Sequence, residues 1–284
     1  MKKNKGILAI NKSENWTSFD VVNKIKHILK IRQVGHLGTL DPMATGVLLI
    51  TIGKATKLFD IMQDKIKTYV AEFEFGYSTD TLDKTGKIID SSQNIPFLSE
   101  IQDIIPEFIG QIEQIPPKYS AKNINGERAY DLARKGIDFE LKSKTVEIYD
   151  IKIISYTDKV LKLEIKCGSG TYIRAIGRDI AKKLNTLATM TSLIRTQVGD
   201  ISVEKCSKIE DLDEISVDDN IICIKNILNL PKLNLNEELI KKLLNGQTIN
   251  LDNNDGVYML NDEFDTIALV KVEKNKAKMS LFMA

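Results

Sequence analysis

A chain of 284 residues, 43% hydrophobic and 28% charged, has material for one large domain plus a small one, each with its own core. No apolar run approaches the ~20 residues needed to span a bilayer, and a net charge of +1 gives no global pull toward a polyanion. The balance is uneven, however: residues 1–209 hold 32 Lys and Arg against 25 Asp and Glu, while residues 210–284 hold 8 against 14. Opposite signs predict two domains, of which the basic one is the better polyanion surface and the acidic one a poor phosphate binder. Three cysteines, Cys167, Cys206 and Cys223, are odd in number, widely spaced and free of any Cys-x-x-Cys pair. That argues against a disulfide framework or a cysteine zinc site and fits a reducing cytoplasm.

In chain order, the basic residues 1–5 precede Gly6–Ile10, too short for a signal-peptide core and expected to be a first strand. Thr17 or Ser18 caps a helix to about Leu29, with Phe19, Val22, Ile25 and Ile28 or Leu29 on its buried face. A glycine-rich loop and an apolar strand, 47–52, follow. Residues 54–62 read as helical, and 67–76 alternate as a strand with Tyr69, Ala71, Phe73 and Phe75 on one face. Ser99 opens a helix interrupted at Pro106, and Pro116-Pro117 breaks the chain before a short basic helix over 126–135. Strands over 144–154 and 160–167, a helix over 171–184 and a strand near 193–198 complete this part. Residues 205–228 suggest connector helices. A helix over 236–244 and four short strands near 247–251, 256–261, 265–273 and 277–283 suggest a small β-barrel. No internal repeat or low-complexity segment is visible.

The densest chemistry lies in Gly35-His36-Leu37-Gly38-Thr39-Leu40-Asp41-Pro42-Met43-Ala44-Thr45-Gly46, directly before Val47-Leu48-Leu49-Ile50. Glycines allow close backbone approach, and the proline holds Asp41 extended, so a carboxylate is presented by a stiff loop on a buried strand. The same string is compatible with a phosphate-cradling loop, although it lacks the Lys-Ser/Thr ending, or with a turn that Asp41 merely caps. His36, placed in that loop, is a candidate metal ligand or general base, without a neighbouring His or Cys to support metal. Far downstream, Ile173, Ile176, Ile180 and Leu184 form a stripe at helical spacing with Arg174 beside it. A partly buried guanidinium needs an anion: a structural Asp or Glu, or Asp41, whose ionised form it would then favour. Tyr69 and Leu193, read alone, are core residues.

The string around Asp41 resembles the catalytic motif of the TruB family, bacterial tRNA pseudouridine-55 synthases. Cys167-Gly168-Ser169-Gly170-Thr171-Tyr172-Ile173-Arg174 resembles a second motif of that family, in order and at a matching distance. Pro116-Pro117-Lys118-Tyr119-Ser120-Ala121-Lys122, with Asn125-Gly126, Ala129-Tyr130 and Ala133-Arg134, resembles a third. The resemblance implies Asp41 as the nucleophile or base that starts glycosidic cleavage and Arg174 as its partner. It further implies Tyr69 stacked on the uracil and assisting loss of the C5 proton, Leu193 on the other face of the base, and Tyr172 against the target nucleotide. His36 would fill the gap that a turned-out nucleotide leaves. Lys122, Arg128, Arg134 and Lys135, near Tyr119 and Tyr130, would contact RNA in a segment that orders over it. Ser78–Asp83 matches a further family stretch, expected only to shape its loop.

The fold so implied is α+β: a mixed, mostly antiparallel pseudouridine-synthase sheet flanked by helices over 1–228, then a PUA-like β-barrel over 229–284. The activity implied is isomerisation of uridine in the T-loop of tRNA, with the T-stem and T-loop as partner, no cofactor, no metal, no membrane, and a monomer. Set against it are a non-catalytic RNA-binding factor on the same scaffold, a guide-dependent relative acting on other RNA, and a phosphate-binding hydrolase. Asp41, Tyr69 and Arg174 together weigh against the first, the short C-terminal part against the second, and the missing Lys-Ser/Thr ending against the third.

Overall fold

The apolar run after residue 5 forms the strand Gly6–Lys12, and Thr45–Ile52 pairs with it antiparallel, from Gly6 opposite Ile52 to Lys12 opposite Gly46. Both strands are buried on both faces, which is why each reads as a continuous apolar run rather than an alternation. Leu8, Ile10, Leu48 and Ile50 face the core beneath the helices, while Ile7, Ala9, Val47 and Leu49 share a second core with Met259, Leu269 and Met283 from the C-terminal part. The structure is a computed structural model and describes residues 5–62, 64–120, 122–124 and 126–283. Ala121 and Asn125 of the proline-rich motif, and residues 1–4 of the basic start, lie outside the described residues.

The main sheet runs in the order Ser207–Lys208, Gly6–Lys12, Thr45–Ile52, Ala188–Val198, Lys67–Phe75, Val160–Cys167, Lys144–Thr157, Gly110–Gln114. Its pairings are antiparallel except where Gly6–Lys12 meets Ser207–Lys208 and where Thr45–Ile52 meets Ala188–Val198. That second contact positions the functional loop. At Gly46 the backbone has φ +101° and a Cβ would collide with the carbonyl oxygen of Arg195, so only glycine lets the two strands close.

The helix Ser18–Leu29 starts on a capping box between Thr17 and Asp20 and buries Val21, Val22 and Ile25. Val22 and Ile25 are buried and Ile28 and Leu29 pack against the core as expected, but Phe19, expected inside, is 61% exposed, and Ser18 and Val21 are buried instead. On the same side of the sheet, helix Ile173–Lys183 presses so tightly on strand Lys67–Phe75 that a Cβ on Gly177 would strike the Phe73 ring. The alternation of Tyr69, Ala71, Phe73 and Phe75 into the core is as expected.

Several elements differ from the sequence expectation. Val34–Leu37 is a strand paired with Thr45–Ile52, His36 opposite Ile50, so the glycine-rich string is a hairpin whose free loop spans only 38–44. Edge strand Gly110–Gln114 and the hairpin Tyr77–Thr79/Ile88–Ser91 carry little apolar alternation and escape a pattern reading. Ser99 lies inside helix Leu98–Ile104 rather than opening it, and the basic helix is shorter, Ala129–Arg134. The first strand, expected over Gly6–Ile10, extends through Asn11 to Lys12, which is fully buried.

The C-terminal part begins with helix Glu237–Leu244, capped by Asn236, and continues as a sheet in the order Ile249–Asn250, Lys276–Phe282, Thr266–Glu273, Gly256–Asn261. It has its own core around Leu233, Leu243, Tyr258 and Val270. The sheet is open, with no pairing of its two edges among the described residues, where the sequence suggested a barrel. Among the described residues no helix is long and apolar enough to cross a membrane.

Candidate active site

Loop 38–44 is stiff because its apolar residues are anchors: Leu40, Met43 and Ala44 are buried. Ser18 Oγ receives the Leu40 N–H at 2.9 Å and stands 3.2 Å from the Leu40 carbonyl, and Asn15 N–H donates to the Pro42 carbonyl at 2.8 Å. Beneath the loop, the Lys12 ammonium donates to the carbonyls of Ser13, Trp16 and Pro42 at 2.9, 2.7 and 3.2 Å. Burial pushes Lys12 down to about 8, with the Asp41 carboxylate opposing the shift. Arg195, also buried, braces the loop from its other end, donating from Nε to the Val47 carbonyl at 2.6 Å and from Nη2 to the Gly38 carbonyl at 3.0 Å. Asp41 is thereby held between fixed points with 32% of its side chain accessible.

The arginine helix supplies the partner. Gln114, on the edge strand, accepts the Tyr172 N–H at 2.8 Å and donates to the Tyr172 carbonyl at 3.2 Å, fixing the residue that caps the helix. As the second residue of that helix, Arg174 is only 8% exposed and forks onto Asp41, Nε to Oδ2 at 3.0 Å and Nη2 to Oδ1 at 3.1 Å. Its remaining N–H groups reach the Thr81 carbonyl at 2.9 Å, the Tyr119 carbonyl at 3.0 Å and Asp83 Oδ2 at 3.4 Å. The planar five-donor fork is thus saturated, which a lysine could not reproduce.

Asp83 does more than the sequence suggested for its stretch. Its Oδ1 accepts from Thr81 Oγ1 at 2.8 Å and from Thr85 N–H at 3.0 Å, shaping the turn, while Oδ2 joins the guanidinium. The Thr-x-Asp-x-Thr pattern is the signal that could have singled it out. Burial pushes Asp41 above the ordinary aspartate value; the Arg174 guanidinium pulls it back, and the Asp83 carboxylate adds to the rise. Arg174 thus favours the ionised form, as expected of the pairing, while burial outweighs it in the net direction. A raised value makes the carboxylate a stronger base and nucleophile.

Asp41, Tyr69, Tyr172, Arg174 and Leu193 line one cleft of about 620 Å³, together with Lys67, Tyr119, Tyr130, Arg134 and Arg195. Tyr69 sits opposite Arg195, and Leu193 opposite Ala71, on neighbouring strands, so Tyr69 and Leu193 are diagonal neighbours on one sheet face. Burial pushes the Tyr69 hydroxyl up, against the lowering effect of Arg195. His36 does not line the cleft. It is half-buried in its strand, with Nδ1 buried and lacking a hydrogen-bond partner, and burial lowers its pKa. Of the four expected RNA-contacting cations, Arg134 lines the cleft, its guanidinium 5.6 Å from the Tyr130 ring centroid. Lys122 donates to the Lys142 carbonyl at 3.2 Å, Lys135 pairs with Glu127 at 2.6 Å, and Arg128 is exposed where the basic helix begins. Among the described residues no three His, Cys, Asp or Glu converge as a metal-binding group.

The model of the family described as TruB family pseudouridylate synthase (N terminal domain) matches residues 26–173, which include Asp41 and Tyr69. A protein from Mycoplasma mobile named tRNA pseudouridine synthase B is 40% identical over 96% of this chain and 93% of its own length. One of the same name from Clostridium kluyveri is 40% identical over 95% of this chain and 93% of its own. A solved structure described as an H/ACA RNP bound to a substrate RNA containing 2'-deoxyuridine shares the fold with a TM-score of 0.73. It covers 98% of this chain and 85% of that chain at 21% identity.

Proposed function

The chain belongs to the TruB family of pseudouridylate synthases, and from that premise we propose that it converts uridine to pseudouridine at position 55, in the T-loop of tRNA, with Asp41 starting the cleavage. The supporting observation is the fork of Arg174 onto Asp41 inside a cleft that also holds Tyr69 and Leu193. The reaction breaks the N1–C1′ bond, rotates the freed uracil and joins C5 to C1′. The C5 proton leaves and N1 ends protonated, so no electrons or groups come from a donor and no cofactor is required. Asp41, made basic by burial and aimed by a saturated guanidinium, acts at the start as nucleophile or base. Tyr69 and Leu193 hold the uracil between an aromatic ring and an aliphatic side chain, and the Tyr69 hydroxyl assists removal of the C5 proton. Tyr172 contacts the target nucleotide, and His36, whose pKa burial lowers, enters the space that the turned-out nucleotide vacates.

Residues 1–228 constitute the catalytic domain in this reading. Residues 229–284 are a PUA-like module, whose acidity assigns the main phosphate contacts to the catalytic part and to the segment carrying Lys122, Arg128, Arg134 and Lys135. The protein works in the cytoplasm as a monomer. The test is incubation of the protein with unmodified tRNA transcript, followed by chemical mapping of pseudouridine. The expected product is a single modified uridine in the T-loop; modification elsewhere, or none, overturns the proposal.

A further inference from the structure

Phe59 opens the short helix Phe59–Met62 with 44% of its surface exposed, and it lines the same cleft as Asp41, Tyr69 and Arg174. The chain around it is fixed. Leu58 and Met62 are buried in the core that the central sheet shares with the C-terminal strands. The preceding turn is tied to the start of the functional hairpin through Gly53 N–H to the Gln33 carbonyl at 2.8 Å and Gln33 Nε2 to Thr56 Oγ1 at 3.1 Å. The ring is therefore presented at the cleft by buried neighbours on either side of it in sequence. Lys57, two residues earlier, is exposed on the same turn. On another stretch of the rim, Tyr130 and Arg134 repeat the combination of an aromatic ring and a cation.

We infer that Phe59 is a nucleobase-stacking residue, taking an RNA-loop nucleotide next to the one turned onto Asp41, with Lys57 against the adjoining phosphate. The inference rests on the proposed function and deepens it by naming a contact for the substrate beyond the reacting base. Turning one nucleotide out of a loop uncovers the flat face of its neighbour. An aromatic ring fixed at the rim covers that face without regard to base identity, while a cation beside it meets the backbone. Such a contact is made equally before and during the reaction, so it lowers KM and leaves kcat unchanged.

The test is steady-state pseudouridine formation on tRNA transcript by the wild type, Phe59→Ala, Phe59→Tyr and Phe264→Ala. The last removes an aromatic that is 78% exposed in the C-terminal sheet region and does not line the cleft. Phe59→Ala is expected to raise KM about five- to tenfold with kcat within about twofold, as loss of one base–aromatic stack dictates. Phe59→Tyr keeps the flat face and is expected to stay near wild type, as is Phe264→Ala. An active wild type with KM unmoved in Phe59→Ala, or Phe59→Tyr as impaired as Phe59→Ala, overturns this inference alone. A wild type that forms no pseudouridine overturns the functional proposal and this inference with it.

Discussion

On the floor of the cleft, Arg174 is almost wholly buried and bonds to two carboxylates and two carbonyls from three separate loops. On its rim Arg134 lies over Tyr130, and just beyond, on the same basic segment, Lys135 and Glu127 pair in water with more than half of each side chain exposed. The same charge types thus do different work. A buried pair broken on one side leaves an uncompensated charge and costs about 3–5 kcal/mol, whereas exposed pairs contribute little and are screened by salt. The floor fixes the geometry of a bond-breaking step; the rim is adjustable and suits a large, polyanionic substrate.

Substitutions put the contrast between floor and rim to the test. Asp41→Asn keeps the shape but supplies neither nucleophile nor base, and single-turnover pseudouridine formation is expected to fall at least about a thousandfold with tRNA affinity within about twofold. Arg174→Ala should lower the rate by about a hundredfold or more and shift urea unfolding by about 3–5 kcal/mol. If it chiefly weakens RNA binding, Arg174 belongs functionally with the rim. For Tyr69→Phe, which retains the ring, the step that releases the C5 proton should slow by about ten- to a hundredfold, followed as tritium release from labelled tRNA. An unchanged rate removes the hydroxyl from the chemistry. Arg134→Ala is expected to raise KM a few-fold and reduce the salt dependence of binding by about one charge. Lys135→Ala should leave melting unchanged and weaken tRNA binding only slightly, by at most about one charge of salt dependence; a large loss of stability there would mean that this exposed pair is as tightly built as the floor.

Asp41 and Arg174 were legible because each sits in a distinctive local string, and a long-range pair follows once both strings are recognised. What tightens the pair was not legible. Gln114 clamps the helix cap from an edge strand whose residues, Gly-Gln-Ile-Glu-Gln, show no apolar alternation. The need for Gly177 becomes visible only when the Phe73 ring is set against the helix. Lys12, just past the apolar run, and Arg195, within a core strand, are long cations, yet both fold inward because backbone carbonyls of the functional loop await them. His36 was misplaced for the opposite reason: glycines at 35 and 38 suggest a loop, but four ladder positions with Thr45–Ile52 make it a strand. Phe19 shows the ordinary limit of helical periodicity: the stripe of Val22 and Ile25 is placed as expected, but at its edge Val21 is buried and Phe19 meets water.

In the proposed reaction Asp41, made more basic by burial, must be ionised to act. The direct measurement is the single-turnover rate of pseudouridine formation by the wild type as a function of pH. A raised pKa keeps Asp41 protonated to higher pH, so the rate should climb with pH through a midpoint above the 3.8 of an unperturbed aspartate. An acid limb at or below that value, or a rate indifferent to pH across the carboxylate range, would contradict it.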